Sequence, residues 1–598
     1  MRLLRWLSWT AVATPLVLLL CHEWFGPDIW YHLYLGGRVA RTLSAQPADR
    51  LLLHQPGFIN LYWLFQLVVR GAYALGGIYP VSLLFIAVWG AALAVWLRTS
   101  GAFRLGGAGP WLALLAILVC QVRFEQRPEI FSYFFLALQI HWLAAWKMDR
   151  APSRWALTRF TVVEVLWANM HGYFAFGPLL IGLKLAANAA SGETGHGMRR
   201  PPGQPGLWRL LGLTLLASIA SPFGLRNWRE VAALWHFFGV MHHQIQEFLP
   251  PGERPQIDLW SIRLFWACWL ALLAAGIWLA RVAGRRELFA LLLAAVGLYL
   301  STEAVRNIPL AVFFAAPLLG AVLPRLRCSA EAGGNAREGC ARLALILTGA
   351  AFSLWIVGGG FHRFARSPGK FGIRESTLAY PVFFTDYVRS TGFSGAVFNS
   401  GRDGGYLEFH LPGIRPYADS RYTDPELIAE YFRATRRPAD FRQLGPQVAF
   451  DGVLLPIVDS REVIVSLLRD PKWRLAYADP GRAFLANLET GAGAAAAVRE
   501  PLFYRGEDLS VPDYAVSAIE WVSVLAQVND RDNLLRALRQ FADARRVPSG
   551  LIEVALDHGL KSSDGEVVAA ARALYPKMIS LHPIDQETVD WLLSRPPP

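Results

Sequence analysis

Apolar runs long enough to cross a bilayer recur through the first three-fifths of the 598-residue chain, and no other feature so narrows the folds open to it. A helix crossing about 30 Å of hydrocarbon needs roughly 20 mainly apolar residues, and only structures that satisfy their own backbone hydrogen bonds persist in lipid. The reading places about eleven spans, near 5–22, 78–97, 108–122, 130–146, 157–171, 173–188, 208–221, 263–281, 287–302, 308–323 and 342–360. Residues are 54% hydrophobic and only 17% charged, the balance of a polytopic membrane protein. The opening stretch MRLLRWLSWTAVATPLVLLLC is read as a retained first span, because WFGPDIW behind it has no small-residue cleavage site.

The connections RTSGAFR, KMDRAPSRWALTR, GHGMRRPPGQPGLWR, RVAGRRE and RLRC…NAREGCAR are basic, and short basic loops face the cytoplasm. The N-terminus is therefore expected in the cytoplasm, and an odd number of spans puts the C-terminal part outside. A net charge of +12 interleaved with spans suits lipid head groups and phosphates, and no basic stripe or nucleic-acid motif is present. Cys21, Cys120 and Cys268 fall in apolar runs and Cys328 and Cys340 in a basic loop, so there is neither a disulfide framework nor a CxxC pattern.

Three regions are expected. Residues 1–362 form a transmembrane helix bundle whose first outer loop, 23–77, holds two aromatic-rich stretches, DIWYHLYLGGRVARTL and FINLYWLFQLVVRGAYAL, with the spacing of interfacial helices. Residues 363–490 alternate helix-like and strand-like segments, the pattern of a small α/β domain. Here TLAYPVFFTDYVRST, DPELIAEYFRAT and SREVIVSLLRD predict helices, while GAVFN, AFDGVLLPIV, WRLAYAD and RAFLANL predict strands. Residues 491–598 read as a linker, GAGAAAAV at 491–498, and a C-terminal helical segment, amphipathic helices beyond about Pro512 without a clean repeat.

With that topology, polar side chains gather at the outer ends of the spans. Asp28 and His32 follow span 1, Arg123, Arg127 and Glu129 lie in VRFEQRPEI, and Asn169 and His171 in WANMHGY. Arg226 and Asn227 follow span 7, with Glu247 beyond, and Glu303, Arg306 and Asn307 lie in STEAVRNIP. Solvated turns would explain some of this, but several turns are too short to leave the membrane boundary. Glu164 also falls within a span, where an acid costs about 2.5–3.5 kcal/mol on insertion scales and needs a polar partner. A shared polar cavity is the reading taken, and arginines at the lipid boundary suit a phosphate whose tail stays in lipid.

PDIWYHLYLGGRV, RFEQRPEIFSY, WANMHGYFAFGPLL and AVRNIPLAVFFAAPLL resemble the GT-C class of glycosyltransferases, the protein O-mannosyltransferase and aminoarabinose transferase superfamily, in a bacterial branch. The resemblance covers roughly 1–480. It implies transfer of a sugar from a polyprenyl-phosphate donor to a lipid, glycan or protein acceptor outside a bacterial inner membrane, with inversion. It implies Asp28 as general base, with His32, Arg123, Arg127, Glu129, His171, Arg226, Glu303, Arg306 and Asn307 around the substrate. Many class members carry paired acids where this chain has Asp28 followed by Ile29 and Trp30, which keeps Glu129 and Glu303 open as bases. Asp28 after Gly26 and Pro27 would also suit a helix N-cap.

No cofactor is expected, although the spacing leaves a divalent cation open. MHHQIQEF places His243 and Glu247 one turn apart beside His242, a weak metal pattern without a third ligand. FNSGRDGGYLEF lacks the Lys-Ser/Thr of a P-loop and reads as a turn between strands; the resemblance hints at a lid or acceptor-recognition role for Arg402 within it and for Asp419 and Arg421 beyond it. Two other functions fit the composition. A flippase for a lipid-linked saccharide would show internal repeats, which are missing, and a non-catalytic assembly factor would use the C-terminal helices to hold a protein partner.

Overall fold

The computed structural model describes residues 2–53, 58–146, 152–191, 203–241, 243, 245–253, 259–328, 335–365, 370–421, 424–444, 448–580 and 583–596. The chain divides into two compact units, Met1–Ala48 with Gly57–Ser376, and Asp49–Pro56 with Thr377–Pro598.

The first unit is helical, and each stretch read as a span coincides with a helix or a helix pair. Among the described residues five helical stretches are long and apolar enough to cross a membrane: Arg2–Leu20, Ile78–Thr99, Gly172–Ala190, Trp260–Glu303 and Glu338–Val357. A sixth arises if Val305–Phe314 and Ala316–Leu326, bent by 49°, count as one span. The 44-residue stretch Trp260–Glu303 contains the 3-10 turn Gly284–Glu287, opened by Gly284 at φ +57°. Helices such as Ala108–Cys120 and Glu129–Ala144 have 13 and 16 residues, shorter than a full span requires. Length and composition thus support fewer spans than the eleven expected.

Glu164, fully buried, has the kind of partner that a buried acid demands. Gln139 Nε2 donates to its Oε2 at 3.0 Å, and a Cβ at Gly177 would lie 2.1 Å from that same oxygen. A side chain at Gly177 would have to displace the Glu164 carboxylate.

The two aromatic-rich stretches after the first helix form Asp28–Thr42 and Trp63–Ala74, which pack against each other. Their closest approach is at Gly36, where a Cβ would sit 2.2 Å from the Gln66 carbonyl oxygen. Trp30 is fully buried between Trp24 and Tyr73, with ring centroids 5.7 and 6.3 Å away. Residues 21–24 pair with 370–376 through backbone bonds, Trp24 N–H to the Arg374 carbonyl at 2.8 Å and Ser376 N–H to the Trp24 carbonyl at 3.0 Å among them. The chain just before Asp28 is therefore held by a ladder instead of hanging as a loop.

The second unit is built on a five-stranded sheet. Its strands are β1 (Gly395–Asn399), β2 (Ile414–Pro416), β3 (Gly452–Pro456), β4 (Trp473–Ala478) and β5 (Arg482–Asn487), in the order β2-β1-β3-β5-β4. β1 runs parallel to β2 and β3, and β5 is antiparallel to β3 and β4. The four strands expected from sequence are present; the three-residue β2 is too short to show a period. β1 and β3 are buried along almost their whole length, as strands covered on both faces must be, and Phe384, Tyr387, Val397, Leu407 and Phe484 fill the core beside them.

Two sequence expectations differ here. FNSGRDGGYLEF is no simple turn: Gly401–His410 is a helix, with Gly404 so close to the Ala418 carbonyl oxygen that a Cβ would stand 2.0 Å from it. Gly404 serves helix-to-backbone packing, which looks like turn chemistry when read one-dimensionally. GAGAAAAV is not loose either, since Gly491–Ala494 is helical, Ala496 is buried, and the Arg499 and Leu502 amides bond the Ala476 and Ala478 carbonyls. Beyond it Pro512–Gln527, Arg531–Phe541, Ser549–Lys561, Gly565–Leu574 and Pro583–Ser594 form a small helical array in which Ser549–Lys561 packs on the first, third and last of its companions.

Candidate functional site

Within the first unit, charged side chains from separate segments converge on one network. Arg123 ends the 3-10 turn Gln121–Arg123, and Glu129 opens the helix Glu129–Ala144; both are buried. Arg123 donates through Nε to Glu129 Oε1 at 2.8 Å, closes a second bond to that oxygen through Nη2, and reaches Glu247 Oε2 through Nη1 at 2.8 Å. Arg306, in the turn Val305–Asn307, takes the other oxygen of Glu129 at 3.2 Å and approaches Glu247 Oε1 at 3.8 Å. Its guanidinium lies 4.9 Å over the ring of Phe238 and 5.2 Å over that of Phe248.

Arg127 joins this pair to Asp28. Its Nη1 lies 2.8 Å from Glu247 Oε2 and 3.3 Å from Asp28 Oδ2, while its Nε donates to Glu125 Oε2 at 2.8 Å. The helix Asp28–Thr42 begins on Asp28 itself with Pro27 in the cap position, so the carboxylate is carried at the first helical residue and reaches Arg127. Three guanidiniums thus face four carboxylates. Burial works to raise Glu247, but Arg127, Arg123 and Arg306 outweigh it and hold the carboxyl well below the usual range.

The four acids are held to different degrees. Glu129 has a guanidinium on each oxygen and a side chain 5% exposed. Glu247 is shared by all three arginines. Asp28, 18% exposed, makes the longest of the contacts of Arg127. Among the donors, Arg306 Nε is buried without an acceptor among the described residues.

An aromatic and imidazole wall adjoins this network. Tyr62 lies between His32 and His171, with centroids 5.3 and 5.8 Å away, and Tyr173 meets His171 edge to face at 4.5 Å. The Tyr173 hydroxyl donates to Asn307 Oδ1 at 3.3 Å, which ties this wall to the turn carrying Arg306. His32 is packed deeper, fully buried against Tyr31, Tyr62 and Phe65 with Gln66 Nε2 3.4 Å from its Nδ1.

Of the residues expected at the site, Asp28, Arg123, Arg127, Glu129 and Arg306 are joined directly, and His171 and Asn307 adjoin them. Arg226 and Glu303 are not brought in: both are exposed, Arg226 at the start of Arg226–Met241 and Glu303 at the end of Leu288–Glu303. The metal pattern of MHHQIQEF does not form, because Glu247 turns to the arginines while exposed His243 lies 4.0 Å from Glu253; His242 is outside the described residues. Sequence reading passed over Glu125, Tyr62, Tyr173 and Ser132. Only Glu125 carried a signal, as a fourth charge within VRFEQRPEI.

No protein-family model matches the sequence, and neither does any curated protein. Solved structures do match in fold. The archaeal oligosaccharyltransferase AglB from Archaeoglobus fulgidus, in complex with an inhibitory peptide and a dolichol-phosphate, aligns with a TM-score of 0.50 and 11% identity over 75% of this chain and 69% of its own. The Archaeoglobus fulgidus oligosaccharyltransferase tethered to an acceptor peptide by a disulfide aligns at 0.48, again 11% identical, over 80% and 73%. The first likeness places this chain in the GT-C fold class, in agreement with its sequence motifs.

Proposed function

We propose that the protein is a membrane glycosyltransferase that moves a sugar from a polyprenyl-phosphate donor to an acceptor outside the bacterial inner membrane, with inversion and with Asp28 as general base. The observation that carries this reading is the convergence of Asp28 with Arg127, and through Glu247 with Arg123 and Arg306, at one place in a GT-C fold. Asp28 is preferred because the GT-C resemblance puts the base at its position and its side chain is 18% exposed, against 5% for Glu129. Glu129 is locked between two guanidiniums and Glu303 stands apart.

In the step itself the acceptor oxygen attacks the anomeric carbon while its proton passes to Asp28. The bond from that carbon to the phosphate oxygen breaks, and the polyprenyl phosphate departs on the opposite face with the electron pair. A positioned base contributes about 10²–10⁴-fold, and cations aimed at the leaving group stabilise the charge that develops there. Each guanidinium is already shared with carboxylates, so the phosphate is bound by exchange of partners, with the unused Nε–H of Arg306 as the first donor available.

The test uses the full chain in lipid nanodiscs with a panel of polyprenyl-phosphate sugars, comparing it with Asp28→Asn. Asparagine keeps the size of aspartate and removes its basicity. Loss of turnover in a folded variant supports the reading. Equal activity of the two forms moves the base to another acid, and donor binding without turnover by the native chain favours a flippase or an assembly factor.

A further inference from the structure

His171 is held in a single protonation form by donors on its Nδ1. The Trp167 indole N–H donates to Ser132 Oγ at 2.8 Å, so the serine hydroxyl has its own proton to give elsewhere. Ser132 Oγ lies 2.9 Å from His171 Nδ1. The backbone N–H of Tyr173, which can only donate, also points at Nδ1, at 3.3 Å, because His171 caps the 3-10 turn Gly172–Ala175. A nitrogen that accepts an amide proton must present its lone pair, so the ring proton sits on Nε2.

Nε2 has no protein acceptor among the described residues. Tyr62 and Tyr173 flank the ring, and Glu129, Arg306 and Arg123 lie within electrostatic range of it. Aromatic faces around one uncharged N–H donor suit a hydroxyl of a sugar ring, while the arginines suit its phosphate.

We infer that His171 is a fixed, neutral Nε2–H donor to a hydroxyl of the donor sugar, and that Ser132 and Trp167 are positioning residues that set its tautomer. This rests on the glycosyltransferase reading for the sugar, but the tautomer does not depend on it. His171 is then no base, and it selects among donors by which hydroxyl they carry.

Two measurements test the inference on the full chain in nanodiscs. The first is nitrogen NMR of ¹⁵N-histidine-labelled protein, with the His171 signals among the 13 histidines assigned by their loss in His171→Gln. A protonated Nε2 and an unprotonated Nδ1 at neutral pH are expected; an Nδ1–H form or an imidazolium overturns the inference whether or not any donor is turned over. The second compares kcat/KM for polyprenyl-phosphate sugars with that for their deoxy analogues. Native protein should prefer the parent sugar at one hydroxyl by about tenfold, the worth of one neutral hydrogen bond. His171→Phe should flatten that ratio to near one, and His171→Gln, whose amide N–H falls near the Nε2 position, should retain most of it. Ser132→Ala should lower it partway, because the ring loses one of its two anchors. An unchanged ratio in His171→Phe, or one that Gln fails to rescue, overturns the sugar assignment.

Discussion

Each unit of this protein buries a cluster of charges, and the two clusters are built on opposite plans. In the first unit three arginines share four carboxylates, Asp28, Glu125, Glu129 and Glu247, drawn from separate segments. The rim of that cluster is open, with Asp28 18% and Arg306 12% exposed. In the second unit a single guanidinium, Arg421, takes Asp419 at 2.5 Å, Glu408 at 2.8 Å and Asp49 at 2.9 Å, and Asp419 and Glu408 are fully covered. Asp49 enters with the segment Asp49–Leu53, whose Leu52 and Leu53 amides extend the sheet at the Pro416 and Tyr417 carbonyls. Arg50 adds donors to the Glu408, Leu411 and Pro412 carbonyls.

The contrast separates a network that can exchange partners from one that closes a structure. Several guanidiniums per carboxylate, as at Glu247, keep the acids ionised and leave each contact replaceable. One guanidinium spread over three acids leaves burial the dominant influence, and it pushes Glu408 and Asp419 upward despite Arg421. Arg421 and Asp419, lid or recognition candidates on sequence grounds, are spent on internal contacts. They pin the segment Asp49–Leu53 within the second unit.

Breaking each cluster should therefore give different losses. Asp28→Asn is expected to lower turnover by about 10²–10⁴-fold while leaving the melting profile unchanged, and a loss of stability without loss of turnover per folded molecule would reverse the contrast. Arg421→Met should do the opposite, destabilising by about 3–5 kcal/mol because the buried Asp419 and Glu408 lose their cation, with turnover per folded molecule preserved. Next in size, Gly36→Ala should cost about 1–3 kcal/mol, as its Cβ is driven into the Gln66 carbonyl; denaturation of the purified variant checks it. Arg306→Lys should raise KM for the lipid donor by about tenfold, since an ammonium lacks the planar fork and has no Nε–H to offer.

The smallest effect is on pH dependence, and its sign should differ between the clusters. Glu247 is depressed in the fold, so its contribution to stability is full above the ordinary carboxylate value and is lost as pH falls through the depressed one. Glu408 is raised, so stability is full below the ordinary value and declines as pH rises toward the raised one. Calorimetry across pH 3–8 on Glu247→Gln should show less acid loss than native protein, and on Glu408→Gln less loss toward neutrality. Matching slopes in both variants would remove the distinction drawn between the clusters.

Much of the site could be read from short-range pattern. Arg123, Arg127 and Glu129 share one tight turn between apolar helices, and a turn of that length forces its charges together wherever the helices go. His171 and Asn307 stand in similar turns and fall nearby for the same reason. Arg226 and Glu303 satisfy the same rule of position yet point outward, because an end residue can face either side of its helix and sequence does not say which. Glu247 was legible as a polar residue beyond span 7 and a neighbour of histidines but not as an arginine partner, since Arg123 and Arg127 lie 124 and 120 residues away along the chain.

By itself, the sequence determined where most helices and four of the five sheet strands form and which side chains lie at helix ends, because hydrophobic period, apolar length and turn chemistry are local quantities. It determined that Glu164 needs a partner, and the GT-C motifs pointed to the fold. Tertiary structure alone decided that the partner is Gln139, that Glu247 serves arginines instead of a metal, that Gly404 makes room for a backbone, and that Ser132 and the Tyr173 amide meet at His171 Nδ1. Each of those outcomes depends on a contact between residues far apart in sequence or on the direction of a single hydrogen bond, and neither leaves a periodic trace in the chain.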